Sequence, residues 1–236
     1  TPTATLAEGD INMTISGSTT ASNTITTGGG TDTITGGNVA DIISSGAGAD
    51  ILDGGTGNDV ITGGAGADTF SGTAGNSEPT LTAGDALTGG DGSDMVLMVA
   101  TGANNINIAG IQLDSVETVR VADSSTGGNT TVNLAGQSGI TDLESSGSAQ
   151  TGNINFSNVS AIADLNLSNT SGGGTTTVTY TATAVAGTAD VQNVHLSTAS
   201  QTGDVTIAGV ETVAVTSDAN STLALAASSA SKVTLD

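Results

Sequence analysis

The sequence predicts an all-β protein: a parallel β-roll of short repeats that continues into an irregular β-solenoid, or β-helix. Three observations carry that reading. A nine-residue repeat holds aspartate in a fixed place, a looser apolar motif follows it, and aromatic residues make up only 1% of the chain. With no tryptophan and so few rings, the chain must bury many small branched side chains instead, which suits a thin repetitive core.

From Thr27 five consecutive units read TGGGTDTIT, GGNVADIIS, SGAGADILD, GGTGNDVIT and GGAGADTFS. The sixth place is always aspartate, at Asp32, Asp41, Asp50, Asp59 and Asp68, and the eighth is Ile34, Ile43, Leu52, Ile61 and Phe70. Two later units, TLTAGDALT and GGDGSDMVL, add Asp85 and Asp94 with Leu87 and Val96. Asp85 falls one place short of the frame counted on from Asp68, which puts an indel or small excursion in GTAGNSEP at 72–79. Upstream, STTASNTIT keeps the period with Asn23 and Ile25, a degenerate first unit.

Glycine permits the positive φ angles of a tight loop, so each unit reads as a six-residue turn followed by a strand of about three residues. Two units make one 18-residue coil, and only the eighth-place side chain points inward. Such a core is too thin to hold on its own. Aspartates 18 apart, such as Asp32 and Asp50, stack at the ~4.8 Å inter-strand spacing, where bare carboxylates repel by roughly 1 kcal/mol in water and a few times that when partly desolvated.

A hard divalent cation between successive turns reverses that sign. Calcium accepts six to eight oxygens in flexible geometry, whereas magnesium keeps its waters and zinc prefers nitrogen or sulfur. The expected ligands are Asp32, Asp41, Asp50, Asp59, Asp68, Asp85 and Asp94. The loop carbonyls of Gly28, Gly30, Gly37, Gly46, Gly48, Gly55, Gly57, Gly64, Gly66, Gly90 and Gly92 are further donors for several Ca²⁺ ions. Asp53 and Asp91 read as solvated members of the same acidic belt, and no spacing supports isolated sites at Asp114, Asp123, Asp142 or Asp218.

Past residue 100 a longer motif, apolar-x-x-apolar-x-apolar, takes over in VETVRV at 116, ITDLES at 140, IADLNL at 162, VQNVHL at 191, VETVAV at 210 and ASKVTL at 230. Each follows a short alternating stretch: Ile106 and Ile108, Val132 and Leu134, Ile154 and Phe156, Val178 and Tyr180, Val205 and Ile207, Leu223 and Leu225. Period-two alternation marks half-buried strands, and SSTGGN and NTSGGGT read as turns. The expected parts are therefore an N-terminal strand and degenerate repeat at 1–26, a calcium β-roll at 27–97 and a β-solenoid at 98–236.

Composition excludes several functions. The 23 acidic residues face only Arg120 and Lys232, a formal net charge of −21, so nucleic acid and anionic membrane surfaces would repel the chain. No apolar run is long enough for membrane insertion. Without cysteine there is neither a disulfide nor a thiolate site. The only histidine, His195, falls at a strand position expected to face solvent, and Glu117 and Glu211 occupy one repeated polar slot rather than an acid–base pair. The chain does not read as an enzyme.

The units match G-G-x-G-x-D-x-U-x, the glycine-rich nonapeptide of RTX proteins. The stretch from ADTFSGTAGNSEPTLTAGDALTGGDGSDMVLM to INIAGIQLDSVETVRV, with IAGVETVAV at 207–215, resembles the RTX proteins that form Caulobacter-type surface layers. That resemblance implies a calcium-dependent lattice of copies of the chain on the bacterial cell surface and type I secretion. It also implies attachment to surface polysaccharide through a helical region not in this chain. An RTX cell-surface adhesin, or the C-terminal module of a type I secreted RTX protein, is the alternative.

Overall fold

Successive coils should place the repeated apolar residues directly above one another, and the computed structural model has that register. It describes residues 3–6, 8–15, 21–74, 79–101, 106–123, 127–147, 151–168, 171–197, 200–218, 221–227, 230 and 232–235. Parts of the degenerate repeat (18–20), the excursion (75–78) and two predicted turns (124–126 and 169–170) lie outside these, as do the side chains of Ile106 and Ile108. Among the described residues there are strands, turns and no helix.

The first strands are β1 (Thr3–Thr5), β2 (Asn12–Thr14), β3 (Thr24–Thr26), β4 (Thr33–Thr35), β5 (Ile42–Ala47) and β6 (Ile51–Asp53). Next come β7 (Val60–Ala65), β8 (Thr69–Ala74), β9 (Ala86–Asp91), β10 (Met95–Ala100), β11 (Ile106–Ala109) and β12 (Gln112–Asp114). Then follow β13 (Thr118–Asp123), β14 (Thr130–Asn133), β15 (Asp142–Ser146), β16 (Ile154–Val159), β17 (Asp164–Ser168) and β18 (Ser171–Gly172). The last are β19 (Thr176–Tyr180), β20 (Val191–Ser197), β21 (Ser200–Ala208), β22 (Thr212–Ser217), β23 (Thr222–Ala227) and β24 (Lys232–Leu235).

The chain divides into two compact units, Thr1–Met98 with Gly110–Thr118, and Val99–Ala109 with Val119–Asp236. In the first, parallel strands stack as β1-β3-β5-β7-β9-β12 and as β2-β4-β6-β8-β10. Ile25 pairs with Ile43 and Ile43 with Ile61, and Ile34 pairs with Leu52 and Leu52 with Phe70, so one coil is two nonapeptides long. All of these side chains are at most 3% exposed.

Two details differ from the expectation. Ile61 pairs with Leu87, where an unbroken frame would have brought Pro79, so the frame slip is an eight-residue insertion within an otherwise unchanged coil. In addition β5, β7 and β9 are twice the expected strand length. Their turn backbones continue the ladder, Gly46 pairing with Gly64 and Gly64 with Gly90, because identical loops stacked in register hydrogen-bond like strands.

The second unit is a solenoid of longer coils, with β11-β14-β16-β19-β21 on one side and β13-β15-β17-β20-β22-β24 on the other. Its coil length varies, since Ile154 pairs with Thr176 but Thr176 pairs with Val205, a longer step along the chain. Here side chains fill the interior: Val119, Leu143, Ile154, Phe156, Leu165, Leu167, Val194, Val205, Ile207 and Val213 are wholly buried.

Several motif positions are not inward: Ile162 is half-buried, and Val233 and Leu235 of ASKVTL are 50% and 77% exposed. In VQNVHL the expected inward residue Val191 is 46% exposed, and Gln192 is buried in its place. The strand alternates without a break through 192, 194 and 196, and Gln192 is accommodated because its polar atoms are satisfied. Its Nε2 donates to the carbonyls of Ala163 and Asn193, both at 2.7 Å, and the Tyr180 hydroxyl hydrogen-bonds its Oε1. Burial pushes that phenol up to about 12.

Candidate metal centre

Each nonapeptide aspartate ends a glycine-rich loop and precedes a strand, so the two-unit coil sorts the aspartates into two columns on the two loop edges of the roll. Asp32, Asp50, Asp68 and Asp94 precede β4, β6, β8 and β10. Asn23, Asp41, Asp59 and Asp85 precede β3, β5, β7 and β9. All eight are at most 2% exposed.

Within each column one carboxylate oxygen is used by the backbone. Asp50 Oδ1 accepts the Asp32 N–H at 2.8 Å, Asp68 Oδ1 that of Asp50 at 2.9 Å, and Asp94 Oδ1 that of Asp68 at 2.8 Å. In the other column Asp41, Asp59 and Asp85 Oδ1 accept from Asn23, Asp41 and Asp59 at 2.7, 2.8 and 2.9 Å. Aspartate is the side chain whose length brings an oxygen back to the coil before it. In the degenerate unit Asn23 instead donates its Nδ2 to Asp41 Oδ1 at 2.8 Å, and its own Oδ1 is buried with no donor.

The second oxygen separates the columns. Asp32, Asp50, Asp59, Asp68 and Asp94 each keep a buried Oδ2 with no hydrogen-bond donor. Asp41 Oδ2 accepts the Gly37 N–H and Asp85 Oδ2 the Thr82 N–H, both at 2.7 Å. The seven aspartates are therefore not equivalent. The β4-side column offers one unengaged anionic oxygen per coil from Asp32 to Asp94, and the other is open only at Asp59.

The glycine carbonyls follow the same division. On the β4 edge the backbone at Gly46, Gly64 and Gly90 packs on the carbonyl oxygens of Gly28, Gly46 and Gly64, and Gly48, Gly66 and Gly92 pack on those of Gly30, Gly48 and Gly66. On the other edge Gly55 packs on the Gly37 carbonyl, whereas Gly57 lies against the backbone of Val39 and Ala40. The Gly28 and Gly37 carbonyls also accept N–H groups from Ala47 and Thr56, and Gly57 accepts the Thr82 hydroxyl.

A buried carboxylate oxygen without a donor costs more than a hydrogen bond is worth, and its repetition coil after coil fits a hard cation. Among the described residues no three His, Cys, Asp or Glu side chains converge on one point. That is the expected result when each loop gives one carboxylate and the remaining donors are carbonyls. Asp32, Asp50, Asp68 and Asp94, with the stacked Gly28, Gly46 and Gly64 and Gly30, Gly48 and Gly66 carbonyls, are the residues that would hold calcium, whose charge would offset the repulsion along the column.

Other acidic residues are placed differently. Asp53 is half-buried and accepts the Gly55 N–H at 2.9 Å, and burial raises its pKa. Asp91 and Asp114 are exposed, Asp142 is half-buried and bonded to Thr141, and Asp123 is wholly buried. His195 lies on the outward face of β20, between inward Val194 and Leu196, as its alternating position predicted, with Nδ1 2.9 Å from Thr216 Oγ1 and Nε2 3.0 Å from Asp218 Oδ2.

Sequence reasoning missed the part Glu117 plays. Its Oε2 accepts the Asp94 N–H at 2.8 Å, and Glu211 Oε2 accepts the Asp190 N–H at the same distance. The shared VET motif was the available signal, but the separation from Asp94 in the chain hides the relation until the register is known.

Without metal, burial and the neighbouring carboxylates Asp85, Asp41 and Asp53 push Asp59 up to about 7, and burial with Asp50 and Asp94 pushes Asp68 up to about 6, from an ordinary value of 3.8. Above pH 7 both groups are ionised in the folded and unfolded chain, and folding bears the full cost. As pH falls from 7 towards 3.8 the folded state takes up protons that the unfolded chain does not, so stability rises. Metal-stripped protein should therefore gain β content, followed by far-UV circular dichroism, as pH is lowered from 8 to 5. In calcium the urea midpoint should instead fall over the same range, because protons then compete with the ion.

Comparison with known protein families matches the RTX calcium-binding nonapeptide repeat, in four copies, over residues 18–43 and 44–78. No curated protein matches the chain, and no solved structure does. The chain thus carries RTX calcium-binding repeats, which form parallel β-rolls and are typical of proteins exported by type I secretion.

Proposed function

We propose that the chain is a structural, calcium-locked protein of the bacterial cell surface that assembles with copies of itself into a surface layer or a related sheet or filament. The observation that carries this reading is the repeat architecture itself: among the described residues both units are stacked parallel coils, the first with two columns of buried aspartates and the second with an interior filled by side chains. Ile42 and Val60, paired in register on β5 and β7, are 52% and 48% exposed. Such an apolar stripe on the outer face of a sheet suits cover by a second copy of the chain.

The RTX repeats supply the calcium dependence, and a net charge of −21 makes association between copies sensitive to divalent cations. Electron microscopy of the purified chain tests this. Ordered sheets or filaments that form in millimolar calcium and disperse in chelator are expected. Monodisperse particles at high protein concentration in calcium would overturn assembly and leave the adhesin or secretion-module reading of the same repeats.

A further inference from the structure

The β4-side aspartate column does not end where the nonapeptides end. The matched repeats stop at residue 78, the last nonapeptide aspartate is Asp94, and yet the next coil copies its predecessors with different residues.

Two contacts define a loop of this column. The first loop residue touches the carbonyl of its counterpart one coil on: Thr27 Oγ1 donates to the Ser45 carbonyl at 2.8 Å, and Ser45 Oγ to the Gly63 carbonyl at 2.9 Å. The aspartate N–H is then accepted by the carboxylate of the following coil, as described above. Both contacts recur past Asp94. The register of β9 with β12 pairs Thr88 with Asp114, so Ser115 follows in the place above Gly89. The Gly89 α-carbon faces both the Ser115 carbonyl oxygen and Asp94 Oδ2, closely enough that any side chain there would overlap them. Glu117 Oε2 accepts the Asp94 N–H.

Ser115 thus stands in the first loop place, held by Thr27, Ser45, Gly63 and Gly89 in the earlier coils, and Glu117 in the aspartate place. Unlike those residues Ser115 has a left-handed φ of 51°, which few non-glycine residues adopt, where the loop shortens to reach Glu117 two residues on. Asp94 itself is 0% exposed, and its Oδ2 has no donor. A wholly buried anionic oxygen, a carbonyl aimed beside it and a second carboxylate on the adjoining coil are the donor set of a hard cation.

We propose that Asp94, Glu117 and the Ser115 carbonyl form a further calcium site, which closes the metal column with residues from outside the nonapeptides. The proposal rests on the reading of the repeats as calcium-binding. A site of this kind ends the roll on a neutralised carboxylate pair rather than on a bare one, and makes the segment 111–118 part of the calcium-dependent structure.

Glu117→Gln separates this from simple capping. Glutamine keeps an oxygen able to accept the Asp94 N–H but removes the charge, so a capping role alone would leave metal uptake unchanged. Calcium bound per chain is measured by equilibrium dialysis of the metal-stripped full chain, for wild type, Glu117→Gln and Asp50→Asn. The expected result is one ion fewer in Glu117→Gln than in wild type. An unchanged count in Glu117→Gln beside a reduced count in Asp50→Asn would overturn the site and leave the repeats intact. No uptake by the wild type would instead overturn the calcium reading of the whole roll. Should Glu117→Gln not fold, Glu117→Asp decides. A calcium midpoint raised several-fold supports the site, and an unchanged midpoint overturns it.

Discussion

Gly66→Ala should prevent the roll from folding at calcium concentrations that fully fold the wild type. Gly66 has φ at 134°, a region that costs a non-glycine residue roughly 1–3 kcal/mol on its own. An added Cβ would also overlap the Gly48 carbonyl oxygen one coil away. Neither strain can be relieved locally, because the Gly66 N–H is bonded to the Asp91 carbonyl at 2.7 Å and the Gly48 N–H to that of Ala65 at 2.7 Å. Opening the stack to make room would move the Gly48 carbonyl away from the column it serves. A loss of about 3 kcal/mol or more would raise the calcium midpoint at least tenfold if a single ion were linked to folding. The neighbouring exposed Ala67 supplies the control, since Ala67→Ser should leave the midpoint within twofold. A Gly66→Ala midpoint equal to that of Ala67→Ser would show that the loops do not stack as described.

The nine-residue period made the roll legible because every unit repeats one local instruction. Aspartate in the sixth place and an apolar residue in the eighth translate directly into Asp50 over Asp68 and Ile43 over Ile61, since a parallel ladder keeps identical residues in register. What the period hid was asymmetry between alternate units. Gly37 donates to Asp41 and Thr82 to Asp85, whereas Asp50 and Asp68 receive no second donor, and nothing in the spacing distinguishes these loops.

In the second unit the apolar motif located the strands but not every inward side chain. Gln192 lies inside and Val191 outside because Tyr180 and the Ala163 carbonyl satisfy the amide, contacts made between coils and not between sequence neighbours. Glu117 was illegible for a related reason. Its role depends on the coil below it and not on its neighbours in the VET motif.

The largest effect expected of this protein is the loss of the first unit when calcium is withdrawn. Most of its nonapeptides bury a single large apolar side chain, and carboxylates on successive coils stack at the ~4.8 Å inter-strand spacing. Each added coil therefore contributes a thin apolar layer, opposed at neutral pH by repulsion of about 1 kcal/mol per neighbouring pair in water and several times that where solvent is excluded. The hydrogen bonds from aspartate N–H groups offset part of this, but the Oδ2 atoms of Asp32, Asp50, Asp59, Asp68 and Asp94 remain buried and unsatisfied. A cation that engages them converts the opposing contribution into a stabilising one, and binding and folding become one equilibrium. The second unit, whose interior is filled by Phe156, Leu165, Val194 and their neighbours, has no such column among its described residues and should keep its amide protection. Amide hydrogen exchange at pH 7.5, compared in millimolar calcium and in chelator with millimolar magnesium, tests the claim directly. The account predicts that the amides of β5 to β10 are protected in calcium and exchange freely in chelator. Equal protection of those strands in both would contradict it.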